Sequence, residues 1–96
     1  MNLNQILGRL RSIKPDLADR FSVTGLAIFG SWARGEQTAE SDLDLLVDFD
    51  EAPSLFTLTR LDDLLEKTLE MAVDTVPRDS LNPRYAPYIL PELIAV

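Results

Sequence analysis

The sequence of 96 residues contains no cysteine and no histidine. Without cysteine there can be no disulfide, no thiolate zinc site and no thiol nucleophile. Without histidine the commonest general base and the commonest transition-metal ligand are both missing. An enzyme with this composition has to rely on carboxylates, hydroxyl groups, backbone amides and a hard metal ion.

Long apolar runs and basic charge are also scarce. No apolar stretch approaches the roughly 20 residues that a membrane-spanning helix needs, and the N-terminal residues do not resemble a secretion signal. We therefore expect a cytoplasmic protein that does not contact a membrane. The chain has 9 basic and 16 acidic residues, which gives a formal net charge of −7. Proteins that follow a nucleic-acid backbone normally have a basic face, so direct nucleic-acid binding is not expected. An acidic surface suits a basic protein partner, or only solubility.

Length and periodicity predict a single domain over residues 1–96. The expected order of elements is helix, strand, turn, strand, helix, strand, helix. This order predicts an α/β (α+β) fold with a small mixed sheet flanked by helices. The predicted bounds are a helix over 3–13, a short helical piece over 16–21 after the break at Lys14-Pro15, strands over 24–29, 43–49 and 71–76, a helix over 55–69 capped by Ser54, and a last helix, in one piece or two, after Asn82-Pro83.

Apolar side chains at regular spacing predict which surfaces form the core. The second long helix has one stripe that we expect to be buried, made of Leu55, Leu58, Leu61, Leu65 and Leu69. The C-terminal segment carries more apolar surface than a tail requires, at Tyr85, Pro87, Tyr88, Ile89, Leu90 and Leu93. Packing of this segment against the core is favoured, with part of its surface left for a partner. Trp32 either packs under the turn that contains it or lies exposed as an anchor for a partner.

The most informative segment begins at Gly30 and Ser31, where the first predicted strand ends. A buried strand that ends in Gly-Ser and enters a helical turn presents free backbone N–H groups and a hydroxyl at one point, which favours anion binding. Glycine also lets a phosphate approach the backbone closely. Arg34 could contact phosphates, because guanidinium groups bind them well, or it could pair with Glu36 or Glu40.

Two aspartates, Asp42 and Asp44, follow at the start of the second predicted strand. In a strand, carboxylates two residues apart project from one face, about 7 Å apart at the backbone. Two such charges repel by roughly 2 kcal/mol at an effective dielectric near 20, so the pair does not stabilise the fold by itself. A divalent cation between them reverses the sign, and Mg²⁺ prefers carboxylate oxygens. The anion site and the cation site together describe a site for a magnesium-bound triphosphate.

Asp74 is the candidate for a third carboxylate, because it is the one charge in the apolar run over 71–76. A lone carboxylate in a buried strand is costly unless it is paired or bound to a metal. An edge strand would instead expose it at no cost, and that reading stays open.

The pattern Gly-Ser, ten residues, Asp-x-Asp resembles the signature of the DNA polymerase β-like nucleotidyltransferase superfamily. Gly30, Ser31, Asp42 and Asp44 match it without a gap. The fuller string FGSWARGE…SDLDLLVDF closely resembles the minimal nucleotidyltransferases of prokaryotes, the MntA type, which are similar in length to this chain.

This resemblance implies a mechanism and roles for individual residues. It implies two Mg²⁺ ions bridged by Asp42 and Asp44, with Asp74 binding the metal that activates the acceptor hydroxyl. Gly30 and Ser31 would hold the β- and γ-phosphates of the donor, for which ATP is expected. Attack at the α-phosphorus would then release pyrophosphate.

The resemblance also implies a partner, a HEPN-type RNase toxin encoded nearby, with which the chain forms a hetero-oligomer. The expected activity is transfer of AMP to a toxin tyrosine, combined with neutralisation by binding. Two alternatives remain open at this point. The chain could be a non-catalytic antitoxin module with a vestigial nucleotide site, or a small-molecule nucleotidyltransferase.

Overall fold

Four strands form one mixed sheet in the computed structural model, which describes residues 1–96. They are β1 (Val23–Phe29), β2 (Leu43–Phe49), β3 (Val73–Pro77) and β4 (Ile94–Ala95). The order across the sheet is β3-β2-β1-β4. β1 is antiparallel to both β2 and β4, whereas β2 and β3 are parallel. This arrangement confirms the predicted α+β fold with a small mixed sheet.

Two long helices and two single-turn helices accompany the sheet. They are α1 (Leu3–Phe21), α2 (Ser31–Arg34), α3 (Leu55–Leu69) and α4 (Ala86–Ile89), and short 3₁₀ turns follow at Arg78–Ser80 and Leu90–Glu92. α3 begins as predicted after Ser54, whose hydroxyl accepts a hydrogen bond from the amide of Thr57. It provides the crossover that a parallel β2–β3 pair requires. None of the helices has the length and the apolar character needed to cross a membrane.

The first helix differs from its predicted bounds. The break expected at Lys14-Pro15 does not occur, and α1 continues through Pro15 to Phe21. Proline removes one hydrogen bond of the helix, to the carbonyl four residues earlier. Pro15 is exposed, whereas Leu17 and Phe21 beyond it are 0% and 8% exposed. We infer that burial of these two side chains offsets the lost bond and keeps the helix in one piece.

The core lies between the sheet and the two long helices, which contact each other and the strands β1 and β3. Leu61, Leu65 and Leu69 of α3 are fully buried, as the leucine stripe predicted. Both faces of the middle of β1 are covered, because the successive residues Leu26, Ala27 and Ile28 are all buried. The prediction of a strand buried on both faces is therefore confirmed.

Two predictions about burial were wrong. Leu55, at the first turn of α3, is 81% exposed, because the helix begins before it reaches the sheet. In the C-terminal segment, Tyr85, Tyr88 and Leu90 are 54%, 76% and 43% exposed, so they do not pack in the core. Between β3 and β4 the chain forms only 3₁₀ turns and the four-residue α4, and none of these three side chains belongs to the core cluster.

Candidate active site

Three chain segments that carry the predicted site residues meet at one edge of the sheet. β1 ends at this edge, and the antiparallel β2 begins there, so Phe29 pairs with Asp44. The parallel β3 begins at the same edge, and Asp44 pairs with Asp74. Asp44 therefore lies between the end of β1 and Asp74 in neighbouring strands.

The Gly-Ser turn follows β1 directly, as the sequence predicts. Gly30 has φ 75° and ψ −152°, a conformation that L side chains rarely adopt, and α2 begins at Ser31. The amides of Ala33 and Arg34 donate to the carbonyl of Gly30, at 3.1 and 3.2 Å. The first amides of a helix lack intrahelical acceptors, so those of Ser31 and Trp32 are available for an anion.

The three aspartates differ in burial. Asp42 is exposed and immediately precedes β2, Asp44 is half-buried, and Asp74 is exposed. Burial raises the pKa of Asp44 above the ordinary value of an aspartate, and the negative charges of Asp74 and Asp42 raise this pKa further. The repulsion predicted between the carboxylates is therefore centred on Asp44.

Asp74 is not buried as the apolar run over 71–76 indicated, and the alternative of an exposed edge strand is correct. β3 is an edge strand, and Asp74 projects into solvent, where a carboxylate costs nothing. What connects Asp74 to the site is its pairing with Asp44 and its effect on the charge of that residue.

The carboxylates suit a hard divalent cation by their chemistry, since Mg²⁺ binds oxygen ligands and the chain offers no nitrogen or sulfur ligand from histidine or cysteine. In this conformation no three acidic side chains are close enough together to hold a metal ion. Like charges repel, so a cation is needed to draw such groups together. Burial and the charges of Asp74 and Asp42 raise the pKa of Asp44, and a bound divalent cation would offset this repulsion.

Arg34 stands at the end of α2 and pairs with two carboxylates. Its Nε donates to Glu36 at 2.6 Å, and its Nη1 donates to Glu92 at 3.0 Å. Of the two partners considered from the sequence, Glu36 is correct and Glu40 makes no contact with it. Both hydrogen-bonded carboxylates, Glu36 first, raise the pKa of Arg34, so its positive charge is retained.

Sequence reasoning missed Glu92. This residue is 58 positions away from Arg34, and its contact depends on the pairing of Ile94 in β4 with Ile28 in β1. A strand of two residues has no readable periodicity, so no pattern in the sequence indicated this neighbour.

Trp32 packs under the turn, because its side chain is only 8% exposed and belongs to the core. The alternative of an exposed anchor is excluded for this residue. On the side of Trp32 and the loop 37–41, a cavity of about 850 Å³ opens beside Asp42. Of the predicted site residues, only Asp42 lines this cavity.

The chain is similar to known proteins in sequence and in fold. The family described as Nucleotidyltransferase domain matches residues 10–96. Protein adenylyltransferase MntA of Thermococcus cleftensis is 40% identical over 96 residues, which is 100% of this chain and 97% of that protein. A solved structure described as a minimal nucleotidyltransferase has a TM-score of 0.83 at 38% identity and covers 100% of this chain and 97% of that chain.

A more distant structure shares the fold. It is a complex of a tri-AMPylated Shewanella oneidensis HEPN toxin with an MNT antitoxin, with a TM-score of 0.70 at 18% identity, covering 94% of this chain and 70% of that chain. The family profile, the full-length relative and the similar structure at 38% identity all indicate the same family. The chain is therefore a nucleotidyltransferase, a member of the nucleotidyltransferase domain family and, within it, of the minimal nucleotidyltransferases of the MntA type.

Proposed function

We propose that this chain is the antitoxin of a HEPN-type toxin and transfers AMP from ATP to a tyrosine hydroxyl of that toxin. The full-length relative at 40% identity is named as a protein adenylyltransferase. The structure with the same fold at lower identity contains an AMPylated HEPN toxin bound to its antitoxin. The single observation in this chain that carries the proposal is the register that sets Asp44 beside both Asp74 and the end of β1.

Each residue of the site has a role in this proposal. Asp42, Asp44 and Asp74 would hold the Mg²⁺ ions, with Asp74 on the side of the acceptor. Bound Mg²⁺ would supply positive charge for the attacking and leaving oxygens. Gly30 and Ser31 hold the β- and γ-phosphates through the backbone amides and the hydroxyl, and Arg34 adds a further contact to the phosphates.

The reaction is a substitution at the α-phosphorus of ATP. The acceptor oxygen forms a bond to this phosphorus, the bond to the leaving pyrophosphate breaks, and the hydroxyl proton is lost. Asp74 is exposed at the sheet edge, where an incoming hydroxyl can reach it, and we assign it the role of proton acceptor.

Transfer of label tests this proposal directly. The chain is incubated with ATP labelled at the α-phosphate, Mg²⁺ and the protein encoded by the neighbouring gene. Label is expected on that protein, and it should be lost with Asp42→Asn combined with Asp44→Asn. Asp50→Asn, an exposed residue just beyond β2, is the matched control and should leave transfer unchanged.

The same variants separate catalysis from binding. If the doubly substituted chain neutralises the toxin as well as the wild type does, neutralisation comes from binding alone. If label appears on a small hydroxyl compound and never on the neighbouring protein, the chain is a small-molecule nucleotidyltransferase and the proposal is wrong.

A further inference from the structure

We propose that Glu92 is a positioning residue for Arg34: it holds the guanidinium group beside the nucleotide site and leaves one amino group free for the phosphates of the donor. This inference rests on the proposed function, because it assigns a role in binding the same nucleotide. It concerns residues that lie 58 positions apart and meet only in the folded chain.

The position of Arg34 in α2 places its side chain near Ser31. α2 consists of Ser31 to Arg34, and residues three positions apart lie on the same side of a helix. The side chain of Arg34 therefore leaves the helix on the side of Ser31. The guanidinium group thus starts beside the Gly-Ser turn that is proposed to hold the phosphates.

Two of the three guanidinium nitrogens of Arg34 are hydrogen-bonded within the chain. Nε donates to Glu36 at 2.6 Å, and Nη1 donates to the two carboxylate oxygens of Glu92 at 3.0 and 3.3 Å. A guanidinium group is rigid and planar, so bonds to two of its nitrogens fix the orientation of the third. Nη2 has no partner in the chain, and the side chain is still 49% exposed.

The two carboxylates are not equivalent. Glu36 is 61% exposed and lies on the exposed loop after α2. Glu92 is only 16% exposed, and a single residue, Leu93, separates it from β4. Because β4 pairs with the end of β1 that leads into Gly30, the backbone near Glu92 is fixed relative to the Gly-Ser turn. Glu92 is therefore the firm partner and Glu36 the adjustable one.

The cost of Glu92 supports a role for it. A largely buried carboxylate is unfavourable unless it is paired, and Arg34 is the only cation that forms a salt bridge with Glu92. The position of Glu92 is therefore tied to that of the guanidinium group. Orientation of a phosphate ligand is a purpose consistent with the geometry.

Binding of AMP-PNP with Mg²⁺ to the chain alone tests this role, because it needs neither a toxin nor catalysis. We expect Glu92→Ala to weaken binding about tenfold, as does loss of one charge-assisted contact. Arg34→Ala should weaken binding by at least as much, and the double variant should be no weaker than Arg34→Ala alone. Glu51→Ala, at an exposed residue just beyond the end of β2 and without contact to Arg34, is the matched control and should bind like the wild type.

The double variant distinguishes positioning from a merely structural role. If Glu92→Ala weakens binding equally in the presence and absence of Arg34, Glu92 does not act through Arg34 and the inference is wrong. Wild-type affinity in Glu92→Ala would overturn it too. Glu92→Gln keeps the size and one acceptor oxygen, and we expect it to restore part of the affinity.

The outcomes also separate this inference from the proposed function. If the wild-type chain binds AMP-PNP but transfers nothing to the toxin, the proposed function is wrong. The role of Glu92 in nucleotide binding is still decided by the binding test. A wild-type chain that does not bind AMP-PNP in the presence of Mg²⁺ overturns both.

Discussion

Gly30 lies so close to the carboxylate of Asp44 that a side chain at position 30 would overlap with it. An ideal Cβ built on Gly30 would contact Oδ2 of Asp44 and would lie 3.0 Å from its Cγ. The Gly-Ser turn and the central carboxylate of the proposed metal site thus lie directly against each other. Any side chain larger than hydrogen at position 30 requires the carboxylate of Asp44 to move.

Gly30→Ala is therefore expected to damage both the fold and the activity. The φ of 75° at this position is strained for alanine, and relief of the overlap requires Asp44 to move. We expect a loss of about 2 kcal/mol or more in the free energy of unfolding, together with loss of AMP transfer. Urea unfolding and the label-transfer assay measure the two effects.

Gly8→Ala is the matched control for this prediction. Gly8 lies on the exposed side of α1, and nothing lies within 4 Å of an added Cβ. Alanine is the better helix former, so the same substitution here should stabilise the chain by roughly 0.5–1 kcal/mol. Equal effects at positions 8 and 30 would contradict the special role of the turn.

Asp44→Asn should stabilise the metal-free protein at neutral pH. Burial and the charges of Asp74 and Asp42 raise the folded-state pKa of Asp44 above its unfolded value. A raised pKa means that ionisation costs more in the folded chain, so stability is lost as pH rises through this folded-state pKa. The amide does not ionise and avoids this loss.

The difference in stability between Asp44→Asn and the wild type is therefore expected to be small at pH 3 and to grow towards pH 7. A gain of up to about 1 kcal/mol at pH 7 is expected for a half-exposed site. Urea unfolding with EDTA measures it. Asp50→Asn makes the same change of charge at an exposed position, and a comparable gain there would attribute the effect to net charge rather than to the site.

Addition of Mg²⁺ and AMP-PNP should make the wild type more stable than Asp44→Asn, the reverse of their order without ligand. A ligand that binds only the folded chain stabilises it, by about 1.4 kcal/mol at ten times its Kd. For a domain of this size that corresponds to a rise in Tm of roughly 5–10 °C. We expect this rise for the wild type in thermal unfolding and little or none for Asp44→Asn. An equal rise in both would show that Asp44 does not hold the metal.

The sequence predicted the motif residues because their spacing is local. Gly30, Ser31, Asp42 and Asp44 lie within 15 positions, and a turn and the start of a strand are enough to order them. The contact between Arg34 and Glu92 could not be predicted, because it depends on a two-residue strand that pairs with β1. Pro15 misled the interpretation of α1 for a similar reason, since the burial of Leu17 and Phe21 is a property of the whole fold.

Leu55 and Leu61 also differ in a way that local sequence cannot predict, because their burial depends on the whole fold. Both belong to one apolar stripe of α3 in the sequence, yet Leu55 is 81% exposed and Leu61 is 0% exposed. Truncation of a buried leucine removes its transfer free energy and leaves a cavity, whereas an exposed leucine loses little. We expect Leu61→Ala to cost about 2–5 kcal/mol in urea unfolding and Leu55→Ala to stay within about 0.5 kcal/mol of the wild type. A large loss of stability for Leu55→Ala would mean that the first turn of α3 is packed against something in solution, and that its exposed leucine belongs to an interface.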